Sequence, residues 1–276
     1  MGKIGMEQTH SFAAYRNSPY SSMKHSSYFA VYDVLFSPYR GKPITFVEVG
    51  VLGGGSLFMW REFFGPQARI IGIDLNPNAR KWEKDGFEIF IGSQSSTEFW
   101  QEFRRAVGPV DILLDDGGHT YAQQITTVEA MVDTIRDHGL LVVEDTHTSY
   151  MDGFGPRRYS FLEYTKGLID RINQRSGLLD TTRSENRIWS VQCFESLVAL
   201  HINRAESTRP CVETFNGKHS DGAADFRNTE RGDSWIERLP GGLRSVIRAV
   251  PGTRPIRTWL CDSYELRRSR IDRFFR

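Results

Sequence analysis

Two stretches of the chain put a pair of acids, then a histidine, directly behind a short hydrophobic run. They are Asp111-Ile112-Leu113-Leu114-Asp115-Asp116-Gly117-Gly118-His119 and Leu140-Leu141-Val142-Val143-Glu144-Asp145-Thr146-His147. If the runs are neighbouring parallel strands, about 4.8 Å apart, the carboxylates at their ends come within reach of one hard cation. Like charges at that separation are costly unless a metal, a proton or a basic partner relieves them. An oxygen-rich donor set favours magnesium over zinc. A blander role stays open, in which Asp116 or Glu144 caps the element that follows its strand.

A second constellation lies upstream. Phe46-Val47-Glu48-Val49-Gly50-Val51-Leu52-Gly53-Gly54-Gly55-Ser56 reads as a strand, a glycine-rich turn and a helix start. Glycines such as Gly50 and Gly54 let backbone approach a ligand, and the helix start offers free N–H groups. The spacing is not that of the dinucleotide fingerprint G-x-G-x-x-G, and Glu48 at the strand end suits a cationic ligand group. The next strand, Ile70-Ile71-Gly72-Ile73, ends at Asp74. A carboxylate there can accept both hydroxyls of a ribose, or it can cap the turn before Asn76-Pro77.

These residues need a frame that brings strand ends together. The apolar runs Ile44–Val49, Ile70–Ile73, Glu88–Ile91, Asp111–Leu114 and Leu140–Val143 alternate with helical stretches Ser56–Phe64, Glu98–Ala106 and Gln123–Arg136. That alternation predicts an α/β fold with a doubly wound, mostly parallel, Rossmann-like sheet. Tyr28, Val31, Tyr32, Leu35 and Phe36 recur at helical spacing ahead of it. Two β-prone runs around Glu195-Ser196, within 187–203, predict a closing antiparallel hairpin. Three regions are expected: a polar arm or lid over 1–23, a catalytic domain over 24–205 and an Arg-rich extension over 206–276. From Arg238 onward there are ten arginines, no lysine and three acids.

Composition excludes little but narrows the class. With 35 basic and 34 acidic residues, the formal charge of +1 gives no global pull toward nucleic acid or an anionic membrane. Cys193, Cys211 and Cys261 lack metal-ligand spacing and suit reduced thiols, so a cytoplasmic location is expected. No run approaches the ~18 apolar residues of a membrane span. The tail, with Trp259, Tyr264 and Phe274 among its charges, is expected to dock on its own domain or on a partner, with binding of an anionic acceptor or of nucleic acid through its arginines as the alternatives; a homo-oligomer is expected.

From about Lys24 to Arg204 the chain resembles the macrocin and mycinamicin sugar O-methyltransferases, a group of class I S-adenosylmethionine-dependent enzymes. The resemblance is carried by Lys24-His25 with Tyr28 and Tyr32, the loop EVGVLGGGSLFMW, the strand IIGIDL, the segments DDGGHTYAQQI and EDTHTSY, and the hairpin CFESLVAL. It implies bound S-adenosylmethionine, a magnesium ion and methyl transfer to a sugar hydroxyl. By position, Asp115, Glu144 and Asp145 are the implied metal ligands. Glu48, Gly50, Gly54, Ser56, Asp74 and Asp115 are the implied cofactor residues, with Ser93 and Gln94 near the adenine. Relatives usually carry Asp where this chain has Ser93, and often a histidine where it has Gln192.

A sugar hydroxyl is a poor nucleophile, so metal binding and a base would activate it. His119 or His147 can serve as that base, and His119 is preferred; each can instead be a hydrogen-bonding support. Competing readings are methylation of a non-sugar hydroxylated natural product or a cell-surface polysaccharide, a non-catalytic nucleotide-binding subunit, and an NAD-dependent oxidoreductase. The loop spacing disfavours the last.

Overall fold

The short apolar runs become strands because helices cover both of their faces. The computed structural model describes residues 6–176 and 185–218. Helices α1 (His10–Asn17) and α2 (Tyr28–Phe36) precede β1 (Thr45–Val49), α3 (Gly55–Phe64), β2 (Arg69–Asp74) and β3 (Glu88–Ile91). Then come α4 (Thr97–Val107), β4 (Val110–Asp115), α5 (Tyr121–Met131), β5 (Ile135–Glu144), α6 (Phe161–Asn173), β6 (Ile188–Phe194), β7 (Leu197–Ile202) and α7 (Arg204–Thr208). A 3-10 segment, Pro77–Asp85, joins β2 to β3.

The sheet runs β3-β2-β1-β4-β5-β7-β6. Strands β1 to β5 are parallel, and β7 inserts antiparallel between β5 and β6. From β1 the chain winds one way to β2 and β3, and from β4 the other way to β5. Ligands of such sheets sit at the carboxyl ends of the strands, where this reversal opens a crevice.

Two apolar layers sandwich the sheet. On one face Phe46, Ile70, Leu114 and Val142 pack against α1, α2 and α3; on the other Val47, Ile71, Leu113 and Leu141 pack against α4, α5 and α6. Successive residues of a strand face opposite sides. Glu48 and Glu144 therefore share the α2 face with Phe46 and Val142, while Asp115 shares the opposite face with Leu113.

Three segments differ from expectation or add to it. The helix placed over Gln123–Arg136 spans Tyr121–Met131: the Thr134 N–H closes a turn onto the Met131 carbonyl at 2.8 Å, and Ile135 already pairs with Val110 in the sheet. Thr120 caps this helix in a reciprocal arrangement with Gln123, so neither Asp116 nor any other acid is its N-cap. Within 1–23, where no periodicity is visible, α1 forms on the Thr9 cap and packs Phe12 and Tyr15 on Phe29, each ring pair 5.1 Å apart. The chain divides into two compact units, Met1–Glu213 and Thr214–Arg276. The arginine-rich stretch from Arg238 lies outside the described residues.

Candidate active site

A cavity of about 360 Å³ opens at the carboxyl ends of β1 to β5. Its β1–β2 side is built from backbone. Gly50 sits at φ +95°, and a Cβ there would stand 2.0 Å from the Asp116 carbonyl oxygen, so β1 and β4 could not close up on any other residue. Gly54, at φ +83°, serves packing: its Cβ would meet the Trp82 ring at 2.2 Å. Asp74 ties the loop down, with Oδ2 accepting the Val51 and Leu52 N–H groups at 2.9 Å each and Oδ1 that of Asn76 at 2.8 Å. Leu52 and Leu75 line the same side and are largely exposed.

The opposite side is built from charges. Lys24, with its side chain buried, projects its ammonium among Asp116 (2.6 Å), Glu144 (3.0 Å) and Glu48 (3.7 Å). Burial opposes that charge, but Asp116 and Glu144 more than offset it, so the amine is held well above its ordinary pKa. Burial pushes Glu48 up to about 7 and Glu144 to about 8, with Lys24 acting in the other direction. Glu48 also accepts from Ser56 Oγ (2.6 Å) and Trp60 Nε1 (2.9 Å), and Glu144 from the Tyr32 hydroxyl. Burial followed by Glu144 raises the Tyr32 phenol, which keeps it a donor.

Asp145 closes the rim. Its Oδ1 accepts from the Tyr28 hydroxyl at 2.6 Å, and its Oδ2 lies 3.3 Å from His119 Nε2. His119, Asp145 and Ser196 all have left-handed backbones, at φ +59°, +55° and +59°. Such conformations are costly for residues with side chains and cluster where geometry is functional. Here they turn an imidazole, a carboxylate and the β6–β7 hairpin tip toward one another. His147 Nδ1 contacts the Ser196 hydroxyl, and His119 Nδ1 is buried without a partner among the described residues.

The expected site residues divide accordingly. Gly50, Asp74, Ser93, Gln94, His119, Glu144 and Asp145 line the cavity; Glu48, Gly54, Ser56, Asp115 and the candidate base His147 do not. Glu48 and Ser56 turn inward onto each other, leaving no face for a ligand. Asp115 points to the other face of the sheet, where Gln94 Nε2 donates to both of its oxygens at 3.0 and 3.1 Å. The expected convergence of Asp115 with Glu144 and Asp145 therefore does not occur. Asp116, read as a cap, takes its place, and one ligand atom each from Asp116, His119 and Asp145 lies within 4.8 Å of the others. Strand alternation carried that signal, because Asp115 shares parity with Leu113. Lys24, Tyr28 and Tyr32 gave no sign of contacting the acids, since their partners lie about a hundred residues away.

Comparison with known proteins places this geometry. Residues 47–146 match the model of a methyltransferase domain. Mycinamicin VI 2''-O-methyltransferase from Micromonospora griseorubida is 34% identical over 62% of this chain and 44% of its own length. A rhamnosyl tetracenomycin-C 2'-O-methyltransferase from Streptomyces olivaceus is 34% identical over 46% of this chain and 35% of its own. The chain thus spans less than half the length of these relatives. Among solved structures, MycE methyltransferase in complex with Mg, SAH and Mycinamycin VI superimposes with a TM-score of 0.62 at 27% identity, covering 77% of this chain and 58% of that one.

Proposed function

We propose that this chain, whose residues 47–146 are a methyltransferase domain related to those of sugar O-methyltransferases, moves a methyl group from S-adenosylmethionine to a hydroxyl of a glycosylated natural product with the help of magnesium. One observation carries the reading: a backbone-built loop anchored on Asp74 and a cluster of acids at the ends of β4 and β5 face each other across a single cavity.

The β1–β3 side suits the cofactor. An ionised carboxylate accepts about four hydrogen bonds, and Asp74 uses three on backbone, so a lone pair remains for a ribose hydroxyl. Gly50, Leu52 and Leu75 leave room for the nucleoside, and Ser93 and Gln94 border its far end. Glu48, Gly54 and Ser56 shape this loop from behind.

The β4–β5 side suits the metal. Asp116 and Asp145 supply hard oxygen donors within 4.8 Å of a His119 nitrogen, Glu144 lines the same cavity, and the other nitrogen of His119 is buried without a partner among the described residues. Magnesium bound there would lower the pKa of an acceptor hydroxyl and fix its direction. His119 accepts the hydroxyl proton at Nε2, and Asp145 Oδ2, 3.3 Å from that nitrogen, then stabilises the imidazolium. Lys24 keeps Asp116 and Glu144 close together by offsetting their repulsion. Among the described residues no helix is long and apolar enough to cross a membrane. The free Cys193 and Cys211 support a cytoplasmic location.

The test pairs calorimetry with turnover. S-adenosylmethionine should bind with and without chelator, whereas transfer to a demethylated glycosylated macrolide should stop when chelator is added and return with magnesium. Undiminished transfer in chelator would overturn the metal assignment, and absence of cofactor binding would overturn the whole reading.

A further inference from the structure

We propose that His25, Asp145 and His147 form a second, nitrogen-rich metal site at the rim of the cavity, one that takes a zinc-class transition ion. The two oxygens of Asp145 serve different neighbours. Oδ2 looks toward His119 at 3.3 Å, on the side of the oxygen cluster. Oδ1 looks the other way, 3.7 Å from His25 Nε2 and 3.9 Å from His147 Nδ1. One ligand atom from each of these three residues lies within 4.8 Å of the others, and the group shares only Asp145 with the set of Asp116, His119 and Asp145.

Donor chemistry separates the two sets. Imidazole nitrogens with one carboxylate suit zinc, cobalt and nickel, whereas magnesium prefers oxygen and retains its water. Zinc binds nitrogen at about 2.0–2.1 Å, which puts tetrahedral ligand atoms about 3.3 Å apart. The two separations from Asp145, 3.7 and 3.9 Å, exceed that by about half an ångström, and the two imidazole nitrogens lie within 4.8 Å of each other. His25 and His147 are 64% and 43% exposed, so both rings are free to close that gap and water can complete the shell.

The surroundings favour the same occupant. The imidazoles come from separate segments, one just ahead of α2 and the other in the 3-10 turn Thr146–Tyr150, and meet edge to face with centroids 5.7 Å apart. His25 also packs on Tyr28 at 5.2 Å. Taking up His147 Nδ1 would displace its contact with the Ser196 hydroxyl. That hydroxyl has a second partner in place, the Tyr28 oxygen at 2.9 Å, so no polar group is stranded.

A zinc-class ion here draws Asp145 away from the oxygen set. Methyl transfer, if the preceding reading holds, is then inhibited by micromolar zinc, and excess magnesium relieves the inhibition. The site itself is tested without activity, by adding cobalt(II) chloride and, separately, zinc chloride to the tag-free full-length protein. The expected result is a set of visible ligand-field bands that saturate with cobalt and a matching zinc isotherm. His25→Ala and His147→Ala should each weaken zinc binding at least about tenfold, and the double variant should abolish the bands. Circular dichroism and S-adenosylmethionine calorimetry report whether each variant is folded. Parent protein that gives no bands, or a folded double variant that binds zinc as tightly as the parent, overturns the proposal. Either result leaves the methyl-transfer reading untouched, because the spectrum does not depend on turnover.

Discussion

The side of the cavity built by β1–β3 and the side built by β4, β5 and β7 are made of different materials. The first is backbone: N–H groups of one loop gathered on Asp74, and glycine where β1 meets β4. The second is side chains: Lys24, Tyr28 and Tyr32 reach Asp116, Glu144 and Asp145 across 92 to 120 residues of sequence. A backbone-built surface tolerates substitution of its neighbours because amides are supplied by every residue. A side-chain cluster holds only while each charge has its counterpart, since an unpaired buried charge is expensive.

Breaking the charged side should therefore have the largest effects. Asp116→Asn and Asp145→Asn should each lower transfer by about a thousandfold or more, as expected for losing several kcal/mol of metal-assisted stabilisation, while calorimetry finds cofactor binding intact. His119→Ala should cost about 10²–10⁴-fold and remove the acidic limb of the pH–rate profile; a profile that only scales down would place the base elsewhere. Lys24→Met should cost about 3–5 kcal/mol in urea unfolding, the scale for breaking a buried ion pair, and magnesium should raise the Tm of this variant more than that of the parent. Asp115→Asn sharpens the contrast with its neighbour: it should cost about 1–3 kcal/mol of stability through a mismatched contact with Gln94 and leave transfer magnesium-dependent.

The smallest effect concerns pH. Burial raises the Glu48 carboxyl from 4.5 to about 7 in the folded protein. Between those values the unfolded chain releases a proton that the folded one keeps, so the stability contributed by Glu48 is full below pH 4.5 and lost as pH rises toward 7. Glu48→Gln should flatten that part of the stability curve. An unchanged slope between the two proteins would show that Lys24 keeps Glu48 ionised.

How much of this was legible follows the same division. The parallel sheet and its hairpin are readable because buried strands are apolar throughout and flanked by helical spacing. The glycine turn and Asp74 are readable because their partners are a few residues to about twenty away. The error over Asp115 and Asp116 arose from treating adjacent acids as interchangeable, although pleating sends them to opposite faces of the sheet. Glu48 was misread because a strand-end acid next to a ligand loop looks exposed until Trp60 and Lys24 are seen to enclose it. The role of Lys24 has no local signature at all: a lysine in a polar segment is ordinarily solvated.

The burial of Lys24 also bears on when the site comes into being. Contacts between residues far apart in sequence form late in folding, and the ammonium waits for partners 92 and 120 residues downstream. During synthesis Lys24 leaves the ribosome before either of these partners and stays without Glu144 until the end of β5 has been made. The acids at the ends of β4 and β5 thus receive their counter-charge only once the parallel sheet is complete, and maturation of the reactive centre becomes a record that the sheet assembled correctly.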